Sequence, residues 1–319
     1  MLLAVRKEDH DIDLLLHVCE MYYEQGLTQQ EIADIIGVSR VSISRMLSTA
    51  KEKGIVRISI VDPRIVLEKL ERRLEQLYGL KKAVVVSGSQ DDHVVKQRIG
   101  RAGARLLESY AKDGDTIGIG RGTTVYQTVN YLSGKVPLPS SYIVPLAGSA
   151  GLFDSYFQVN EMARQAAEAF GAKCVYLNVP YYVSCIEVKQ ALLNERLVAD
   201  CVNRWDSLDI ALVGIGGTVL SRDPAFLARV RAAEERTGKQ VAADLCGRFI
   251  DSQGESMEGG KDLLIAVSLD QLRETKTVIG VAGGKTKAAA ILAALRGKYL
   301  DMLVTDEVAA EMLCSAREG

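Results

Sequence analysis

An α/β protein with a separate helical head is the fold class that this sequence predicts, and three observations carry the prediction. From Asp11 to Gly54 apolar residues recur at helical spacing between capping residues and glycines, whereas from Lys82 onward short apolar runs alternate with helical stretches. The chain has 319 residues, enough for about two domains. Apolar residues make up 48% and charged residues 25%, which excludes both wholesale disorder and a fibrous repeat. No apolar run approaches the roughly 20 residues that span a bilayer, and MLLAVRKEDHD turns charged too early for a signal peptide. A cytoplasmic chain without a membrane partner is therefore expected. Six cysteines without a CxxC pair read as reduced thiols, so neither disulfides nor a metal site is expected.

The first helix spans Asp11 to Gln25 through Leu14, Leu15, Val18, Met21 and Tyr22, and Gly26 ends it. Thr28 caps a second helix, with Glu31 completing a capping box, and Ile32, Ala33 and Ile35 precede Gly37. Ser39 caps a third, which runs through Val41, Ile43, Met46 and Leu47 to Gly54; IVRISIV, from Ile55 to Val61, alternates as a short strand. Gln29, Ala33, Gly37 and Ile43 carry helix-turn-helix spacing: a small residue where helices cross, a glycine for positive φ, and an apolar residue that packs one helix on the other. The third helix is expected to offer Arg40, Ser42, Ser44 and Arg45 to base edges in a major groove, with Ser39 at its DNA-facing end. Thr28, Gln29 and Lys51, together with Lys53, are placed for phosphate contacts, and Arg57 stands on a strand that would form a wing. A net charge of −2 argues against an indiscriminate nucleic-acid binder, but five basic residues against one acidic residue lie between Ser39 and Arg57. Operator DNA is the expected partner.

Asp62-Pro63 breaks the strand, and Arg64 to Tyr78 then sets Leu67, Leu70, Leu74 and Leu77 on one face of a charged helix. That stripe packs either on its own domain or in a coiled-coil linker between two chains. The expected division is 1–62 for a winged helix-turn-helix, 63–79 for a linker helix and 80–319 for an effector-binding and oligomerisation domain. In the last, AVVVS, DTIGIG, YIVPLAG, CVYLNV, DIALVGIG, VAADLCG, TVIGVAGG and MLVTDE read as strands of a parallel sheet covered on both faces. Several end in glycine, at the carboxyl edge where open α/β sheets bind small molecules. Gly118, Gly120 and Gly122 lead to Thr123 and Thr124 at a helix start, where backbone amides and hydroxyls suit a phosphate. Thr123 occupies the third glycine position of GxGxxG, which lowers a dinucleotide reading, and no cofactor is expected. Gly148-Ser149-Ala150-Gly151 is a second candidate loop, while Gln158 and Asn160 read as helix caps rather than ligands.

YYEQGLTQQEIADIIGVSRVSISRML, GDTIGIGRGTTVY, VPLAGSAG, DIALVGIGGT, AADLCGRFID and VAGGKTKAAAILAALRGKYLDMLVTDE together resemble the SorC family of sugar-binding transcriptional regulators over essentially the whole chain. The resemblance implies an N-terminal winged helix-turn-helix and a C-terminal Rossmann-like domain similar to sugar-phosphate isomerases and deaminases, used for sensing. It also implies a phosphorylated sugar or polyol effector and a homodimer or homotetramer. Asp244 resembles the family's acidic residue for sugar hydroxyls and Lys287 its basic residue near the ligand, with Lys285 a local competitor; a structural Asp244–Lys287 ion pair is the other reading. The match is loose at Arg121. An isomerase- or deaminase-like enzyme fused to a DNA-binding segment is the alternative function. Only His10, His17 and His93 are available for nucleophilic catalysis, and His93 reads as a solvated helix start. Carboxylates such as Asp209 or Asp244 leave proton transfer open, but no catalytic residue is expected.

Overall fold

The computed structural model describes residues 12–56, 63–149, 158–217, 224–259 and 262–316. The chain divides into two compact units, Met1–Asp62 and Pro63–Gly319.

The first unit holds α1 (12–24), whose last turn Glu20–Glu24 is π-helical, α2 (Gln29–Ile36) and α3 (Arg40–Glu52). The Thr28 hydroxyl accepts from the Glu31 N–H while the Glu31 carboxylate accepts from the Thr28 N–H, closing the expected capping box. Gly37 turns the chain at φ +78°, a conformation that costs other residues about 1–2 kcal/mol. Val18, Met21, Ile32, Ala33, Ile43, Leu47 and Ala50 form the core. Ile35 and Val41, expected among the apolar positions, are instead 62% and 61% exposed. At about 100° per residue each lies nearly opposite the buried positions two residues away. The wing from Arg57 to Asp62 falls outside the described residues.

The second unit opens with α4 (Pro63–Tyr78) and β1 (Lys82–Val86), followed by α5 (Asp92–Tyr110), β2 (Thr116–Ile119), α6 (Thr123–Asn130) and β3 (Tyr142–Pro145). Next come α7 (Val159–Phe170), β4 (Lys173–Cys174), α8 (Ile186–Asn194), α9 (Arg196–Val202), β5 (Ile210–Gly216) and α10 (Pro224–Thr237). The chain continues through β6 (Ala243–Leu245), β7 (Arg248–Ile250), α11 (Leu269–Glu274) and β8 (Thr277–Val281). It then forms α12 (Ala288–Arg296), β9 (Met302–Asp306) and α13 (Glu307–Ser315). Seven strands pair in parallel in the order β1-β9-β8-β5-β2-β3-β4. Alternate residues feed two cores: Ala211 and Val213 of β5 face one, Ile210 and Leu212 the other. Two expected strands differ. VAADLCG became β6, which runs antiparallel to β5 and hairpins into β7; CVYLNV keeps strand geometry only at β4.

The leucine stripe of α4 packs on its own unit: Leu74 is fully buried, and Leu67, Leu70 and Leu77 lie against the same core. The helix expected as a linker thus sits within the second unit. Its polar side is equally committed. Glu71 and Glu75 accept the N–H groups of Val85 and Ala83 at 2.9 and 3.0 Å, so acids four apart on a helix satisfy amides two apart on an edge strand. That closes an edge which otherwise presents unpaired donors.

Ala33 sits 1% exposed between α2 and α3. Ala33→Leu should overpack that contact and destabilise the first unit by about 1–3 kcal/mol. Calorimetry should show a lowered transition for the helical head and an unchanged one for the sheet unit; an unshifted head transition would count against the close crossing.

Candidate functional sites

On α3, Arg40, Ser44, Arg45, Ser48 and Lys51 are exposed beside Val41, a basic face opposite the buried Ile43, Leu47 and Ala50. Ser39 is tied to the helix start, accepting the Ser42 N–H at 3.1 Å, and the two hydroxyls lie 2.8 Å apart. Ser42 is therefore half-buried and engaged at the cap instead of standing free on that basic face. Thr28 is likewise occupied by its capping box, although it stays exposed, and Gln29 is half-buried at the first turn of α2. Val41 is the outward residue that sequence reading missed, because an apolar letter in a helix is assigned inward until the phase of the helix is known.

In the second unit, β2 leads by its crossover to β3 on one side, while β5 leads to β8 on the other. The crevice between the carboxyl ends of β2 and β5 is therefore the topological switch point, where open α/β sheets place ligands. A cavity of about 380 Å³ opens there, lined by Gly122, Thr123 and Thr124 from the β2–α6 turn, Gly214 to Gly216 from β5, and Asp244, Cys246 and Gly247 from the β6–β7 hairpin. Gly283, Thr286 and Lys287 close it from the β8–α12 loop, with Asp92, Lys96 and Arg121 at its margin. The first-turn amides of α6 have no acceptor within their own helix.

The hairpin that presents Asp244 is tight. Leu245 pairs with Arg248 across Cys246 (φ +49°) and Gly247 (φ +87°), the signature of a two-residue I′ turn. A Cβ on Gly247 would lie 1.4 Å from the Tyr181 hydroxyl, so only glycine fits. Arg229 donates to the Tyr181 hydroxyl at 3.2 Å and to the Gly247 carbonyl at 2.7 Å, while the Arg121 guanidinium lies 4.7 Å from the centre of the same tyrosine ring.

Asp244 Oδ1 is buried without a hydrogen-bond partner among the described residues. Burial raises the Asp244 carboxyl above the ordinary aspartate range, opposed by Arg121, Arg229, the Gly247 N–H and Lys287. Burial also lowers Lys287, which Asp244 counteracts, and its Nζ donates to the Ile215 carbonyl at 3.1 Å. No salt bridge joins Asp244 to Lys287 among the described residues, so the structural ion pair does not form; both groups face the cavity. Lys285 is exposed and outside the lining.

The structure thus brings together Gly122, Thr123, Thr124, Asp244 and Lys287, and separates three expected members. Gly120 donates its N–H to Leu212 O (2.8 Å), Gly148 to Ile265 O (2.8 Å) and Ser149 to Val179 O (2.9 Å). Their amides are consumed by neighbouring strands and loops, and none of the three lines the cavity; Ala150 and Gly151 lie outside the described residues. Gln158 heads α7 without a side-chain cap bond, whereas Asn160 accepts the Leu177 N–H at 2.9 Å and ties α7 to the loop after β4. His93 is exposed at the start of α5, with its N–H donated to Asp91.

Residues 63–315 match the family described as "Putative sugar-binding domain", and residues 12–77 match the Crp-like helix-turn-helix domain. The sorbitol operon regulator of Klebsiella pneumoniae is 32% identical over 312 residues, covering 95% of this chain and 98% of the relative. The deoxyribonucleoside regulator of Bacillus subtilis is 34% identical over 310 residues, 94% and 96% of the two chains. In three dimensions the chain is similar to the full-length sorbitol operon regulator SorC from Klebsiella pneumoniae, with a TM-score of 0.74 and 31% identity over 95% of this chain and 99% of that one.

Burial pushes the Cys246 and Cys201 thiols up to about 12. At pH 8 about one such thiol in ten thousand is ionised, and the thiolate is the reactive form. Iodoacetamide at that pH should leave both unmodified in the native chain while alkylating half-exposed Cys185, as read by peptide mass spectrometry; rapid native labelling of Cys246 would refute the buried placement.

Proposed function

The chain belongs to the SorC family of sugar-binding transcriptional regulators, and from that premise we propose that it reads operator DNA with α3 and senses a phosphorylated sugar or polyol in the cavity between β2 and β5. It is a DNA-binding regulator of the sugar-operon type and not an enzyme. The observation that carries the effector assignment is the unpartnered Oδ1 of Asp244, held in the same cavity as Lys287 and the first turn of α6. A buried carboxylate oxygen lacking a donor is costly by itself and is satisfied by a ligand hydroxyl. Thr123, Thr124 and the amides of the α6 first turn supply what a phosphate needs, namely hydroxyls, free N–H groups and the positive end of a helix. Arg121 and Lys96 add positive charge at the margin of the same cavity.

On the DNA side, Arg40 and Arg45 are the base-reading arginines, with Ser44 beside them; Lys51, Thr28 and Gln29 serve backbone phosphates, and Ser39 and Ser42 fix the start of the reading helix. One such helix contacts few base pairs, and a homodimer or homotetramer reading repeated half-sites supplies the rest. Because the leucine stripe of α4 is packed within its own unit, the contact between copies uses other surfaces.

Calorimetric titration of the full chain with a panel of sugar phosphates, polyol phosphates and their unphosphorylated parents tests the ligand class. Binding confined to phosphorylated members is expected, and preference for an unphosphorylated sugar would replace the phosphate reading. Asp244→Asn should weaken effector binding about ten- to hundredfold, the range for losing a hydrogen bond to a charged group. The same variant should melt no lower than the parent without effector. Since the Asp244 carboxyl is raised in the fold, its ionised form opposes folding as pH climbs past the unfolded value, and asparagine removes that penalty. On the other unit, Arg45→Ala should cost about 1–3 kcal/mol of specific operator affinity at fixed salt and leave effector titrations unchanged.

A further inference from the structure

The outward face of α3 carries one strongly exposed apolar side chain. Val41 is 61% exposed on the first turn, between Arg40 and Ser42 in sequence. Ser44, Arg45 and Ser48, at three, four and seven residues on, share its face and are exposed too. On the opposite side Ile43, Leu47 and Ala50 are buried. Val41 therefore contributes little to the core of its own unit, and its isopropyl group stands on the surface that would enter a groove.

The polar neighbours narrow what this face reads. Ser42 is held by Ser39 at the cap, and Ser48 donates its hydroxyl to the Ser44 carbonyl at 3.1 Å, so both are turned to their own helix. Short serines also leave the valine accessible. In a major groove the apolar feature at a base edge is the C5-methyl group of thymine, and small aliphatic side chains are the groups that meet it.

We propose that Val41 is a specificity-determining residue that reads a thymine methyl group in each operator half-site, next to the base contacted by Arg45. This rests on α3 being the reading helix, and the test separates the two. Duplexes are first selected from a random pool with the full-length chain. Each thymine of the selected site is then replaced singly by deoxyuridine, which removes the methyl and keeps every hydrogen-bonding group. At one thymine per half-site the replacement should weaken binding about fourfold, the factor corresponding to about 0.8 kcal/mol for one buried methylene-sized group. Val41→Ser, which removes both methyl groups and keeps a short side chain at an exposed helical site, should bind the thymine and deoxyuridine duplexes equally, while Arg45→Ala should keep the preference for thymine. A selected operator without a sensitive thymine, or full discrimination retained by Val41→Ser, overturns the inference and leaves α3 as reading helix. Failure of the chain to select any duplex overturns both.

Discussion

A buried carboxylate oxygen without a partner is a standing cost, and much of the sheet unit is arranged to hold Asp244 in that state. β6 runs antiparallel to the end of β5, which carries Asp244 to the mouth of the switch-point crevice instead of into a further layer of parallel sheet. The I′ turn after it needs φ > 0 at two successive residues, and Gly247 also makes room for the Tyr181 hydroxyl. Tyr181 is in turn flanked by Arg229 and Arg121, whose charges temper the penalty on the carboxylate without closing a salt bridge on it. Shielded in this way the oxygen stays short of one donor, which under the proposed function is the hydroxyl of the effector.

The edge of the sheet shows a second constraint that shaped the chain. β1 is an outer strand, and an outer strand exposes donors. Glu71 and Glu75 accept two of them while the leucines on the same helix reach the core, so α4 serves as apolar cover and as a hydrogen-bonding cap on the edge. A heptad-like leucine spacing looks the same whether its partner is a second chain or its own sheet, which explains why the sequence left both open.

What was legible in the sequence was what depends on neighbours along the chain. The caps at Thr28 and Ser39, the glycine turn at Gly37 and the alternation of strands with helices are decided by residues within a few positions of one another. The phase of α3 was less visible: whether Val41 or Ser42 points outward turns on about 100° of rotation, set by which residues the other two helices bury. The convergence of loops was least visible of all. Gly120, Gly148 and Ser149 carry the composition of an anion loop, yet their amides are claimed by Leu212, Ile265 and Val179, partners far off in sequence. Cys246, which lines the cavity, and Tyr181, which packs behind it on Gly247 and Arg121, were overlooked for the converse reason, since they are brought there by a hairpin and a loop that meet only in the fold.

The cavity also has a continuous mechanical surrounding. Gly284, in the loop that carries Lys287, donates its N–H to Asp306 at 2.6 Å, and Asp306 is the buried last residue of β9 and the N-cap position of α13. α13 packs against α4, where the Tyr78 hydroxyl donates to the Leu313 carbonyl at 2.6 Å, and α4 starts at Pro63, the first residue of the sheet unit. Contiguity alone does not transmit a signal, because a ligand shifts an equilibrium only by the difference in its affinity for two states. Coupling between effector and operator typically amounts to about 1–3 kcal/mol, a range within reach of a few charge-assisted hydrogen bonds made in one state and not in the other. The loop bearing Lys287 is where such a difference would be made: it lines the cavity on one side and is bonded on the other, through the Asp306 carboxylate, to the cap of α13, which packs on α4.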